Sequence, residues 1–407
     1  MTDPTGPGPT RLHASRRSAV ASFEVMDILD RVAVLRSAGR DVISLCAGEP
    51  SQGAPSAVSA ASEALHASRR ALTYTSALGI RELRAEIAQH YGRWYGLDLT
   101  PEQVGITTGS SGAFLLAFLA AFDAGDRVAL ARPGYPAYRN ILQALGCEVV
   151  EIDCGPDVRF QPTPELLDAA HDGAPLAGLV LASPANPTGT MVDRAELTAV
   201  ARWCSDHGVR LVSDEIYHGV TYPELGSADP RGVCAWEVDN SGIVISSFSK
   251  YWGMTGWRLG WMLLPEDLAR PVDALAGNLA LSPPTPAQQA AIAAFTPESY
   301  AECDAAVAGF AATRELLLDN ATRLGWGTAA PADGAFYYYA DLGDAVLDRW
   351  PSSSAYCAAL LEDVGVALTP GVDFDEVGGR RSVRLSFAAG HAAVAEAIER
   401  IVEFQSH

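Results

Sequence analysis

Residues 242–261 read GIVISSFSKYWGMTGWRLGW, and the fold of the chain turns on how this stretch is understood. Gly242 opens a short β-branched run, Ile243-Val244-Ile245, with the pattern of a buried strand. A serine-rich turn, Ser246-Ser247-Phe248-Ser249, follows it and delivers Lys250. Arg258 stands eight residues beyond the lysine, after Gly253 and Gly256. An ammonium beside Tyr251, Trp252 and Met254 is costly to desolvate, which predicts a pKa lowered toward the free amine. A free amine at a rigid strand-to-turn junction is what a carbonyl-bearing cofactor or substrate needs to form a Schiff base. The hydroxyls of Ser247 and Ser249 and the guanidinium of Arg258 are donors of the kind a phosphate needs. The same stretch also suits a surface lysine that snorkels past aromatics after a core strand, and by itself it leaves the two readings level.

The spacing of Ser247, Lys250 and Arg258 within SSFSKYWGMTGWRLGW resembles the cofactor-lysine motif of the class I/II aminotransferases, fold type I enzymes that use pyridoxal 5'-phosphate. The resemblance implies an α/β fold. Its large domain would hold a mostly parallel seven-stranded sheet sandwiched by helices, and a smaller α+β domain would be built from both termini. On that pattern residues 1–18 are a disordered lead and 19–50 the N-terminal part of the small domain. Residues 51–290 then form the large cofactor-binding domain, and 291–407 complete the small one.

Composition is compatible with that architecture and removes other classes. A chain of 407 residues, 48% hydrophobic and 19% charged, can bury a large core over two domains. A formal net charge of −20 disfavours nucleic acid and anionic membranes as partners. Seven scattered cysteines without C-x-x-C spacing argue against a disulfide framework or a zinc site and fit a reducing cytoplasm. No apolar run approaches the ~18 residues of a membrane span. Arg16-Arg17-Ser18 mimics a twin-arginine export signal, but Glu24, Asp27 and Asp30 interrupt what would have to be its apolar core.

From Phe23 to Leu35, Val25, Ile28, Leu29, Val32 and Leu35 recur at helical spacing. Val42–Leu45 reads as a short strand running into Cys46-Ala47-Gly48-Glu49-Pro50. The resemblance implies that Gly48 meets the substrate carboxylate, a turn glycine being the alternative; Ser51 stands where the family often has Asp. Residues 72–84, LTYTSALGIRELR, resemble the family's Y-T-x-x-x-G-x-x-x-L-R segment. Tyr74 would then reach the cofactor phosphate of a partner subunit, which implies a homodimer with shared active sites. Alone, Tyr74 would be a half-buried tyrosine at a helix entry.

Strands then alternate with helical stretches, the signature of a doubly wound parallel sheet. Val104–Thr107 leads into Thr108-Gly109-Ser110-Ser111-Gly112, whose free N–H groups at a helix start make an anion site for the cofactor phosphate. Arg127–Leu130 leads to Arg132-Pro133-Gly134-Tyr135-Pro136, and Tyr135 stands where the family stacks an aromatic on the pyridine ring. Leu179–Ala182 precedes Ser183-Pro184-Ala185-Asn186-Pro187-Thr188-Gly189, which resembles the N-P-x-N-P-T-G loop with Ser183 for the first Asn. Asn186 would bond the cofactor's phenolic oxygen and border the substrate. Val209–Ser213 ends in Asp214-Glu215-Ile216-Tyr217, and a carboxylate at a buried strand mouth needs a cation. The family supplies one: Asp214 would keep the ring nitrogen protonated, Tyr217 would join Asn186, and Glu215 would be structural. After Pro283-Pro284 come helical stretches at 285–295 and 299–324, then strands at Gly334–Tyr338 and Ser382–Phe387. The last resembles R-[IL]-S-[FL], whose arginine, here Arg384, binds the α-carboxylate; the alternative is an edge-strand ion pair.

Five of these groups follow a predicted strand at its carboxyl end, the edge where open α/β sheets bind ligands. The resemblance implies ping-pong transamination between an L-amino acid and a 2-oxo acid through a Lys250 Schiff base. Lys250, Asp214 and Tyr217 would be catalytic, and Gly48, Asn186 and Arg384 would bind substrate. β-Elimination, C–S cleavage or cyclisation would use the same residues. An aminotransferase-like transcription regulator would need a winged-helix head, for which too short a lead precedes Gly48.

Overall fold

The computed structural model describes residues 12–223 and 227–407. Its strands are β1 (Ile43–Ser44), β2 (Val104–Thr107), β3 (Arg127–Arg132), β4 (Glu148–Asp153), β5 (Gly178–Ala182) and β6 (Arg210–Asp214). They continue as β7 (Ile243–Ser247), β8 (Gly260–Leu263), β9 (Tyr337–Asp341), β10 (Val366–Ala367), β11 (Thr369–Pro370) and β12 (Ser382–Ser386). A seven-stranded sheet runs in the order β2-β8-β7-β6-β5-β3-β4. All its pairs are parallel except the two made by β8. It is the mostly parallel α/β sheet expected.

The sheet forms because its strands are apolar on both faces, as strands covered by helices on both sides must be. Ile243, Val244 and Ile245 of β7 are fully buried, and each contributes roughly 1.5–3 kcal/mol on leaving water. After Lys250 the chain turns back through Arg258, which adopts φ +50°, and Gly260 pairs with Ser247. The second half of the lysine stretch is therefore itself a strand, β8.

A second, antiparallel sheet runs β11-β12-β9, with Arg384 opposite Tyr339 and Ser386 opposite Tyr337. The N-terminal segment is tied to the C-terminal one twice. β1 pairs in parallel with β10, Ile43 opposite Val366. The helix Glu24–Ser37 lacks a side-chain cap of its own. Asp373 supplies one, its carboxylate accepting from Glu24 N at 2.7 Å and Val25 N at 2.9 Å, where a negative charge also suits the helix dipole. No helix among the described residues is long and apolar enough to cross a membrane.

Several boundaries differ from the sequence expectation. The lead expected over 1–18 falls partly on residues 1–11, outside the described residues; Arg16–Ser18 form a 3-10 turn, with Ser15 Oγ accepting from Arg17 N. The strand expected at 334–338 is Tyr337–Asp341. Gly334 and Ala335 instead donate their N–H groups to Gly189 O and Val220 O, with Ala335 at φ +56°, so the segment is tied to the large sheet's loops before it becomes a strand. The strand expected at 209–213 shifts by one, which makes Asp214 its last residue. The 285–295 helix divides into Thr285–Ala291 and a 3-10 turn at Ile292–Phe295.

Candidate active site

Lys250 sits just past β7, and its Nζ donates to Gly48 O at 2.6 Å. The ring in contact with the amine is Tyr217, 5.5 Å away, whereas Tyr251 and Trp252 are committed to the aromatic core. Burial lowers the lysine pKa to about 8 against the pull of Glu49, and Arg384 adds to the fall.

Asp214 closes β6 and is buried. Its carboxylate accepts from the Tyr138 hydroxyl and, at 3.1 Å, from Ile216 N. Burial raises its pKa to about 6 even against those two donors and the charge of Lys250. A protonated ring nitrogen would relieve that cost.

Arg384 projects from β12 into the same region. Its Nη1 donates to Asn186 Oδ1 at 2.8 Å, and its Nη2 to Cys46 O and Thr369 Oγ1. The guanidinium lies between the rings of Tyr337 at 4.5 Å and Phe374 at 4.7 Å. Its Nε is buried without a partner, an open donor that a carboxylate can fill.

An anion cradle lies at the start of the helix Gly109–Ala121. Gly109 has φ +66°, and a Cβ there would come within 2.4 Å of Arg258 Nη2, so the glycine makes room for the guanidinium at the helix N-terminus. Ser110 and Ser111 fall in that first turn. Ser247 ends β7 and is buried, its hydroxyl 2.9 Å from Ser249 Oγ and accepting from Ser249 N at 3.0 Å. Tyr135 caps the helix Pro136–Leu145, edge-on to Tyr138 at 5.3 Å. Tyr74 is 77% exposed.

Two residues of this cluster escaped the sequence reading. Tyr138 lies three positions after Tyr135, in the first turn of the helix that Pro136 opens, a spacing that could have flagged it. Tyr337, whose hydroxyl is 2.6 Å from that of Tyr217, carries no local signal. Pyridoxal phosphate fits the donor set: an amine, a buried carboxylate, a guanidinium with an unfilled Nε, and a helix start with a second guanidinium.

Glu215, next to Asp214, turns into a different environment. Its Oε1 accepts from Ser213 Oγ at 3.0 Å and Ala235 N at 2.7 Å, and its Oε2 lies 3.5 Å from His218 Nδ1. Burial raises Glu215 from 4.5 to about 8 and lowers His218 from 6.5 to about 3. The raised acid holds a proton that the unfolded chain has lost, so its stabilisation is full below 4.5 and lost as pH rises through about 8. The depressed base acts the other way, its contribution being lost as pH falls from 6.5 toward about 3. Between 4.5 and 6.5 the two oppose, and from 6.5 to about 8 only Glu215 acts. The melting temperature should therefore fall across that upper window, and Glu215→Gln should flatten the fall; thermal unfolding at a series of pH values checks it.

Comparison with known proteins gives one consistent result. The family model for aminotransferase class I and II matches residues 40–401. The valine–pyruvate aminotransferase of Mycobacterium tuberculosis is 53% identical over 386 residues, covering 95% of this chain and 96% of that protein. A crystal structure of an aminotransferase from Mycobacterium tuberculosis superposes with a TM-score of 0.91 at 51% identity, covering 97% of this chain and all of that one. Aspartate aminotransferase from Thermus thermophilus with maleate superposes with a TM-score of 0.88 at 31% identity, again over 97% of this chain and all of that one.

Proposed function

We propose, from the fact that the chain belongs to the class I and II aminotransferases, that it moves an amino group from an apolar L-amino acid such as valine to a 2-oxo acid such as pyruvate, with pyridoxal phosphate carried on Lys250. The enzyme is an aminotransferase; the donor, the cofactor and the residue roles are what the proposal adds. The observation that carries it is the meeting of Lys250, just past β7, with Arg384 of β12 through contacts with Gly48, Tyr217 and Tyr337, within reach of the charge of Asp214 at the end of β6.

When bound, pyridoxal phosphate supplies an aldehyde that condenses with amines and a cationic ring that takes up the electron pair left when a proton leaves the substrate Cα. The chain's residues do the rest. Arg258, Ser247 and the amides of Ser110 and Ser111 would hold the phosphate, joined by Tyr74 of a second copy. Asp214 keeps a proton on the ring nitrogen, its own charge held in place by the hydroxyl of Tyr138. Asn186 and Tyr217 would bond the cofactor's phenolic oxygen, and Tyr135 would stack on its ring. Arg384 grips the α-carboxylate near Gly48. Lys250, with its pKa at about 8, is partly free amine near neutrality, so its Nζ could accept the proton that leaves the substrate Cα.

Two further features support the reading. Arg132 is paired with Asp153 at 2.9 Å and Asp375 at 3.4 Å, and Arg139 with Glu151 and Glu376 at 3.1 and 3.0 Å. A second carboxylate on the donor would compete with these four acids for the two guanidiniums, where Arg132 Nε is the donor left without a hydrogen bond, and an apolar donor would not. Tyr74, Leu279 and Leu281 are exposed at 77%, 55% and 56%, which supports a homodimer that covers them. The seven cysteines are buried thiols without disulfides, in keeping with a cytoplasmic setting.

The test is direct. The loaded enzyme with valine and pyruvate should form alanine, at least ~10-fold faster than with aspartate as donor. Faster turnover of aspartate, or ammonia release without an oxo acid, would sink the reading.

A further inference from the structure

Tyr337 stands where the catalytic groups meet and has no part in the chemistry above. It opens β9 and is 1% exposed. Its ring forms one side of the Arg384 stack, 4.5 Å from the guanidinium. Its hydroxyl lies 2.6 Å from that of Tyr217, with the two rings edge to face at 5.7 Å. A Cβ on Gly48 would fall 1.9 Å from the same hydroxyl, so the oxygen occupies space that only a glycine leaves open. The carbonyl of Gly48 receives Lys250 Nζ. The hydroxyl is thus wedged between the backbone that meets the lysine and the phenol of Tyr217.

A phenol has one proton to give. If Tyr217 gives its proton to the cofactor's phenolic oxygen, its own oxygen must be the acceptor in the pair, and Tyr337 the donor. We infer that Tyr337 is a positioning residue, whose hydroxyl donates to Tyr217 Oη and so directs the Tyr217 proton away from itself and onto that phenolic oxygen. The inference rests on the proposed reading of the site. Chains of hydrogen bonds strengthen one another, so a phenol that accepts from Tyr337 is a stronger donor to its next partner. Without it the phenolic oxygen keeps more negative charge and holds the protonated nitrogen beside it more tightly. The charged groups that face the two phenols are Arg384, Lys250, Asp214 and Glu49, and Tyr337→Phe alters none of them. It also leaves the ring under Arg384.

The experiment loads the parent, Tyr337→Phe, Tyr217→Phe and the double variant with pyridoxal phosphate and follows the absorbance of each with pH. The midpoint should rise by about half a pH unit in Tyr337→Phe and by more in Tyr217→Phe. Adding Tyr337→Phe to Tyr217→Phe should move it no further, and the KM for the amino donor should stay at the parent value. In place of Tyr337, 3-fluorotyrosine, a more acidic phenol and a better donor, should shift the midpoint downward; it serves equally if Tyr337→Phe does not fold. An unmoved midpoint, or the same rise with and without the Tyr217 hydroxyl, overturns the inference and leaves the site reading standing. A colourless parent overturns both.

Discussion

Lys250→Ala should lower transamination by about 10⁴-fold or more and leave the protein, soaked in pyridoxal phosphate, without the absorbance of a lysine-bound cofactor. The size of the effect follows from the chain's composition as well as its geometry. Lys250 is the single lysine among 407 residues, so no neighbouring side-chain amine can take its place. The same fact makes the chemical test clean: after borohydride, a pyridoxyl mass on any lysine peptide must be on Lys250. Folding should survive the change, because Nζ makes one hydrogen bond, to Gly48 O. Lys250→Arg separates charge from basicity. The guanidinium keeps the cation but stays protonated at any accessible pH, so it can neither condense with an aldehyde nor accept a proton from Cα. It should fail as completely as alanine. Turnover near the parent rate in either variant, or a trapped cofactor at the chain's α-amino group alone, would show that the amine at 250 is not the carrier.

What the sequence disclosed about this site depended on how locally each feature is encoded. Asp214, Asn186 and Lys250 stand out in the sequence because each ends or closely follows a buried apolar run and stands beside turn-forming residues, a signature contained within a few positions. β8 does not, since Gly260–Leu263 is short and lies inside a stretch already assigned to the lysine motif. Tyr138 and Tyr337 were out of reach for a different reason. Their partners, Asp214 and Tyr217, are 76 and 120 residues away in the chain; the first pair meets where the helix Pro136–Leu145 packs on the large sheet, and the second where the two sheets meet.

Asp214→Asn should cut turnover by about 10³-fold and, in the same protein without cofactor, raise the melting temperature at about pH 8. The two effects have one origin. Asp214 is a carboxyl held out of water, and its pKa stands at about 6 against 3.8 when unfolded. The folded state therefore favours the protonated acid: this stabilisation is full below 3.8 and is lost as pH rises through about 6. Above that pH the cofactor-free protein bears a buried charge with no ion-pair contact, softened by the donors from Tyr138 and Ile216 and by the charge of Lys250. Asparagine has the same shape, can still accept from Tyr138, and carries no charge to bury. It should melt higher than the parent at about pH 8 and match it at about pH 4, where both side chains are neutral. The same neutrality is fatal to the chemistry, because an amide cannot hold a proton on the ring nitrogen against the pull of solvent, and the ring then takes up electrons poorly. An aspartate kept only for packing would give the reverse pattern, with stability falling and turnover within about tenfold of the parent once the variant is folded. Measuring both quantities on one preparation decides between a charge stored for the cofactor and a side chain that merely fills the end of β6.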